Sequence, residues 1–401
     1  MKTIIIANNL LIEKSPAFGI EQDLLDGIST AGVEIEAYSS SVGDLGKSNG
    51  KYKNVVVREY KSVLYALSLM GKLLPDIQWL PDATYYSWGQ FVAKQICSQP
   101  LDNAIIHSIG FANACHWAAY KVKKHSGLPW VASFFDSWTD YPTRRFNTSF
   151  FKRKDESMER SVAEKADIIV HNNYETAKIW KDRYGDEISK KIVVIPFNID
   201  FSREHASVLD TSNKDVLNIN HIGTFYPYRN ASSIIRGVAR FVEKYPQEIN
   251  KIKINLVGKV LDSDIELMKA LKIDWLFSIV GRLTPEQCQA YYRDASAFLS
   301  TAGDYGENVM FPSKIIKYFY YNRPIIGVSP SATITESELI KAGHRCFLPS
   351  DSDGFADYLH TMINNYKSVC NFNHDYWKRF SNETVVSQYI NIYNSLVNRV
   401  I

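Results

Sequence analysis

The chain has 401 residues, of which 45% are hydrophobic, 22% charged and 13% aromatic, and its net charge is +3. That length is enough for two domains, each with its own core, and the near-neutral balance excludes bulk nucleic-acid binding. Five cysteines (Cys97, Cys115, Cys288, Cys346, Cys370) are scattered with no Cys-x-x-Cys or Cys/His cluster, which argues for a reducing compartment and against structural zinc. The opening run MKTIIIANNLL is too short for a signal peptide and is broken by Asn8 and Asn9. No later run approaches the roughly 18 apolar residues of a membrane span. The expected location is the cytoplasm, where the sequons at Asn147, Asn230 and Asn382 are coincidental.

In chain order, TIIIAN, VEIEAY, NVVVRE, NAIIHS, WVASFF, DIIVHN and KIVVIP read as strands, with amphipathic stretches between most of them. Such alternation predicts a parallel sheet covered by helices on both faces. In SPAFGIEQDLL, after the first strand, Gly19 precedes a helix at the sheet edge where ligands approach; a simple turn is the alternative. No Gly-x-Gly-x-x-Gly follows, and GDLGKS lacks the spacing of a Walker motif. In SFFDSWTDYPTRR, Asp136 and Asp140 flank Trp138 at the end of a strand, where a carboxylate could take a proton from an acceptor hydroxyl. Either could instead cap a turn before Pro142. Next, Arg144, Arg145, Lys152, Arg153 and Lys154 alternate with Phe146, Phe150 and Phe151. This segment can lie peripherally on an anionic membrane at its inner face, or be a solvated helix face with core phenylalanines.

Residues 201–215 read as a polar linker, after which VLNINHIG, KINLVG, LFSIVG, AFLS, PIIGV and RCFLP repeat the alternation. Two α/β units joined in this way leave a cleft between them, the usual place for a small-molecule site. In NVMFPSKIIKYFYYNRPIIG, Ser313 is the expected N-cap of a helix with an apolar stripe at Ile315, Ile316, Phe319 and Tyr320. Lys314 and Lys317 then sit in or just after its first turn, where the helix dipole disfavours cations. An anion would reverse that sign, so the segment reads as a phosphate site; an exposed basic helix end is the alternative. Ser381 is placed to cap a last helix whose position the sequence does not fix.

Together these segments resemble the GT-B glycosyltransferases, and are similar to glycosyltransferase family 4 and its bacterial polysaccharide-building relatives. PWVASFFDSWTDYP resembles the family's acceptor-side strand and loop, KKIVVIPFNID its hinge, HIGTFYPYRN its donor-diphosphate loop, FSIVGRLTPEQ the loop that meets the nucleotide base, and FPSKIIKYFYYNRPII its Pro-Ser-Lys signature. The resemblance implies an α/β fold of GT-B type, two Rossmann-like domains facing each other across a cleft. The implied domains are 1–205, binding the acceptor, and 206–375, binding the nucleotide sugar, with a helix at 376–401 that can pack back on the first domain.

Carried over, Gly223, Thr224 and Arg229 fall on the diphosphate loop, Gly281 and Arg282 on the base loop, and Ser313, Lys314 and Lys317 on the signature. Arg229 and Lys314 would neutralise the leaving nucleoside diphosphate, so no metal and no cofactor is expected. Asp262, Asp264, Asp351 and Asp353 form Asp-x-Asp strings read as loop or cap residues.

The family's two glutamates, seven apart, are here Met310 and Lys317; Glu307 or Asp304 could replace the first, and Asp136 could serve as base for an inverting transfer. The implied activity moves a sugar from a UDP- or GDP-linked donor to a glycan or lipid-linked acceptor in surface polysaccharide assembly. The other readings are a non-catalytic scaffold or a nucleotide-sugar 2-epimerase.

Overall fold

A computed structural model describes residues 2–7, 16–40, 52–57, 83–110, 113–140, 149–204, 215–303, 309 and 311–398. The chain forms two units: Met1–Asp200 together with Arg379–Ile401, and Phe201–Lys378.

The first unit is built on seven strands: β1 (Lys2–Ala7), β2 (Glu34–Ser40), β3 (Lys53–Val57), β4 (Ala104–Gly110), β5 (Trp130–Phe134), β6 (Ile168–His171) and β7 (Ile192–Val194). Their order is β3-β2-β1-β4-β5-β6-β7 and every pairing is parallel. β-Branched runs suit a sheet buried on both faces, and β4 and β5 are buried at every position. The order reverses between β1 and β4, so the carboxyl ends of those strands mark the ligand edge of the sheet.

At the other flank, Glu36 of β2 receives Lys2 of β1 at 2.8 Å, Lys53 of β3 at 2.9 Å and the Tyr38 hydroxyl at 2.9 Å. Helices α1 (Pro16–Thr30), α2 (Ala83–Cys97), α3 (Asn113–Ser126), α4 (Ser149–Lys165), α5 (Tyr174–Tyr184) and α6 (Asp186–Ser189) connect the strands. Gly19 does not precede α1 but lies in its first turn. Pro16 is the reason: its fixed φ suits the first helical position, where the missing N–H costs nothing.

The second unit repeats the design with β8 (Leu217–Ile222), β9 (Ile252–Val257), β10 (Phe277–Gly281), β11 (Ala297–Thr301), β12 (Ile325–Val328) and β13 (Arg345–Phe347). The order is β10-β9-β8-β11-β12-β13, again parallel, and reverses between β8 and β11. Its helices are α7 (Ser232–Lys244), α8 (Asp262–Ala270), α9 (Pro285–Asp294), α10 (Lys314–Tyr321), α11 (Ile334–Lys341) and α12 (Ser352–Asn364). The Asp-x-Asp strings do cap: Asp264 accepts from Ala231 N at 3.1 Å at the start of α7, and Asp351 from Gly354 N at 2.9 Å at the start of α12.

The expected linker begins later than the sequence implies. Phe201–Arg203 forms a short 3-10 turn of the second unit, and Phe201 stacks on Tyr320 of α10 at 4.4 Å between centroids. Trp377, at the far end of the same unit, meets that tyrosine edge-on at 5.1 Å. Aromatic burial thus overrides the polar composition of the segment's start. Residues 205–214 lie outside the described residues.

The chain ends in α13 (Asn382–Val397), capped by Ser381, whose hydroxyl accepts from Thr384 N at 3.2 Å. It packs on α1 where Gly27 leaves room; a Cβ there would come within 2.5 Å of Val386. Tyr393 of α13 bonds His107 Nδ1 at 2.6 Å, and Ser133 Oγ meets the other ring nitrogen at 2.7 Å. This buried chain fixes the helix to β4 and β5, a position that periodicity alone left open. No described helix is long and apolar enough to cross a membrane.

Candidate functional site

The carboxyl ends of β8, β9 and β10 carry Gly223, Gly258 and Gly281, all at positive φ. Space as well as φ demands glycine at the first two: a Cβ on Gly258 would come within 2.3 Å of the Gly223 carbonyl oxygen, and one on Gly223 within 2.9 Å of Lys314 Nζ. The space a Cβ would take on Gly223 is held by the side chain of Lys314.

Lys314 is the first residue of α10, and its Nζ donates to His221 Nε2 at 2.9 Å. The imidazole is oriented by the Leu299 carbonyl of β11, 3.0 Å from Nδ1, and stacks on Phe225 at 4.1 Å. Nδ1 therefore carries the hydrogen and Nε2 the lone pair. Burial, and then the neighbouring Arg229, hold Lys314 well below the usual range for a lysine. Burial and Lys314 do the same to His221.

Arg229 follows a tight loop closed by Tyr226 N to Arg229 O at 3.1 Å and Arg229 N to Tyr226 O at 2.8 Å. Its guanidinium lies over the Tyr226 ring, 5.2 Å from the centroid, and its buried Nε has no hydrogen-bond partner. Among the described residues neither Lys314 nor Arg229 is paired with a carboxylate. Two basic side chains beside positive-φ glycines at the strand ends are a combination that suits a phosphate group.

The other predicted residues divide around this point. Ser313 precedes α10 but sits in helical conformation and makes no side-chain cap bond; the first turn closes instead through Ile315 N to Pro312 O at 3.0 Å. Lys317 turns away to Glu204, whose Oε1 lies 2.5 Å from its Nζ, so an internal carboxylate, not an external anion, compensates this second basic residue. Glu204 also accepts from the Tyr321 hydroxyl at 2.8 Å. Thr224 is half-buried beside Gly223, and Arg282 is exposed on the loop that leads to the Thr284 cap of α9. Glu307, with Asp304 and Met310, lies outside the described residues. His221 and Glu204 were not singled out by sequence; a lone histidine in the strand NINHIG was the only signal for the first.

In the first unit, Asp136 follows β5 directly, is half-buried, and loss of water around its carboxyl pushes its pKa up to about 7. Asp140 is committed to an ion pair with Arg183, which also holds Glu159 at 2.9 Å. Trp138, between the two aspartates, is fully buried and donates from Nε1 to Asp155 at 3.0 Å. Asp136 is poised near neutrality, as a proton acceptor must be. Gly19 is exposed, with nothing within 4 Å of an added Cβ, and joins neither group. In the basic, aromatic stretch, Phe150 is 63% exposed and Lys152, Arg153 and Lys154 are exposed on the same first turns of α4; Arg144, Arg145 and Phe146 lie outside the described residues.

Two parallel α/β sheets of seven and six strands, each with its ligand edge at a reversal of strand order, define the GT-B fold. Comparison with solved structures finds the same fold in several glycosyltransferases. It is similar over 98% of its length to HepE of Anabaena, solved in complex with UDP, covering 100% of that chain at 13% identity and a TM-score of 0.66. Over its whole length it is similar to sucrose-phosphate synthase of Thermosynechococcus elongatus, covering 100% of that chain at 12% identity and a TM-score of 0.71. The lipopolysaccharide outer core galactosyltransferase WaaB matches 98% of the chain over 99% of its own, at 14% identity and a TM-score of 0.65. At such identities the likeness establishes the fold alone. No family model and no curated protein sequence matches the chain.

Proposed function

We propose that this protein is a glycosyltransferase that moves a sugar from a UDP- or GDP-linked donor to a glycan or lipid-linked acceptor in surface polysaccharide assembly. The observation that carries the reading is the half-buried Lys314 beside Arg229, two basic side chains with no described carboxylate partner at the reversal point of a parallel sheet. Residues 206–375 supply the donor site and residues 1–205 the acceptor side.

In the reaction, the bond between the sugar's anomeric carbon and the β-phosphate oxygen breaks, and the leaving diphosphate keeps the electron pair. Lys314 and Arg229 neutralise that developing charge, the task a metal performs elsewhere. The acceptor oxygen bonds to the anomeric carbon as its proton passes to the Asp136 carboxylate, which gives inversion. Exposed Phe150 beside Lys152, Arg153 and Lys154 provides a peripheral contact with an anionic membrane surface.

Thermal stability measured against UDP, GDP, ADP, CDP and dTDP tests the reading. A ligand at about 100 times its Kd stabilises by roughly 2.7 kcal/mol. A shift with one nucleotide, lost in Lys314→Ala, is expected and names the base. No shift with any of the five would favour a non-catalytic scaffold, and turnover of a nucleotide sugar without acceptor would favour an epimerase.

A further inference from the structure

We propose that Lys314 and His221 make ligand binding proton-coupled: Lys314 is an uncharged amine in the free protein and takes up one proton when a diphosphate-bearing ligand enters. This rests on the reading of the Gly223, Arg229 and Lys314 cluster as a diphosphate site.

The geometry leaves the free protein little choice. Lys314 Nζ has one hydrogen-bond partner among the described residues, His221 Nε2 at 2.9 Å. That nitrogen is an acceptor because the Leu299 carbonyl claims the ring's hydrogen at Nδ1, 3.0 Å away. His221 is fully buried and stacked on Phe225, so it cannot turn to water for a second proton. Among the described residues, the other charged or titratable groups that face the pair are Arg229, from the loop after β8, and Tyr318, from α10. Tyr318 is occupied by the backbone of Ile222, its hydroxyl accepting from the amide at 2.9 Å and donating to the carbonyl at 3.3 Å.

An ammonium here would be largely withdrawn from water, beside a guanidinium, with a neutral imidazole as its acceptor; both desolvation and the like charge favour the amine. The amine still donates one N–H to His221. A diphosphate reverses the balance, since an opposite charge within about 4–6 Å favours the charged form. The Nζ lone pair then accepts a proton from solvent, and no bond in the ligand changes. His221 is the positioning residue, holding Nζ in place in both states.

Calorimetric titration of the whole protein with UDP and with inorganic pyrophosphate, in buffers of contrasting ionisation enthalpy, counts the protons directly. At pH 8 the terminal phosphate of UDP is already ionised, its second pKa being about 6, so UDP contributes little; pyrophosphate still carries a proton there, so its count is read as the difference between wild type and Lys314→Met. Uptake approaching one proton per ligand is expected, with Kd weakening by up to about tenfold per pH unit as the pH rises. Lys314→Met should bind more weakly and take up none, whereas His221→Gln, which keeps an acceptor, should retain uptake. Binding without proton exchange, or uptake that persists in Lys314→Met, would overturn the proposal and leave the phosphate site standing. Failure of both ligands to bind would overturn the phosphate site, and the proposal with it.

Discussion

Lys317 Nζ and Glu204 Oε1 lie 2.5 Å apart, one helical turn beyond Lys314, and this pair separates the two lysines of α10 into different roles. The carboxylate is buried and also holds the Tyr321 hydroxyl, so it cannot lose Lys317 without being left short of charge compensation. Glu204→Gln or Lys317→Met alone should each lower stability by about 2 kcal/mol, and the double substitution should cost less than their sum. Denaturant melts of the four proteins in the cycle give the coupling. Nucleoside diphosphate affinity in Lys317→Met should stay near the wild-type value.

Among the described residues Lys314 has no carboxylate of this kind. Replacing it with methionine removes a half-buried basic group and keeps the volume, so the free protein should become more stable by about 1–3 kcal/mol while the thermal response to nucleoside diphosphate disappears. Opposite signs for the two effects in one melting experiment would separate a ligand-binding lysine from a structural one, whose loss lowers both.

For Asp136 the folded pKa of about 7 lies above the ordinary 3.8, so the fold favours the protonated carboxyl. That stability is whole below pH 3.8 and is lost as the pH rises to about 7. Asp136→Asn cannot ionise, and should melt above the wild type at pH 8 and level with it near pH 3.5. As the proton acceptor, Asp136 should give a kcat, measured at saturating donor, that rises through neutral pH, and the asparagine variant should lose roughly 100-fold or more.

Glu36 has the opposite sign. Burial alone would raise its pKa, but hydrogen bonds from Lys2, Lys53 and Tyr38 outweigh it and hold the carboxyl down at about 2. Its stabilisation is present above pH 4.5 and is lost as the pH falls to about 2. Glu36→Gln should therefore lower the melting temperature at pH 7, with the gap to wild type closing by pH 2. Hydrogen exchange in β1, β2 and β3 should quicken at pH 7 in the same variant.

The thirteen strands were legible because a parallel sheet buried on both faces needs β-branched runs, and IIIA, AIIHS and IIGV are such runs wherever they occur. The Lys314 cluster, the proposed phosphate site, was half legible, since lysine at a helix start carries an electrostatic cost that sequence alone exposes. What completes it came from far along the chain. His221 meets Lys314 across 93 residues and Glu204 meets Lys317 across 113, and no local pattern encodes pairs at that separation. Local composition also misled: Gly19 reads as a turn until Pro16 is recognised as a helix start, and the polar look of the segment after Asp200 hid Phe201, an aromatic anchor.

That anchor sets the chain's accounting of its own ends. Phe201 and Trp377 open and close the second unit and meet on one ring, Tyr320. On the other side, Ile199 N donates to Phe380 O at 3.0 Å and Asn382 N to Ile199 O at 3.2 Å, so the first unit is also stitched shut where the chain leaves and returns. Topologically, residues 201–378 are an insertion whose entry and exit lie side by side. Such a piece can be excised or grafted at the cost of a short splice, and the residue that makes this so is a tyrosine on the helix that begins with Lys314.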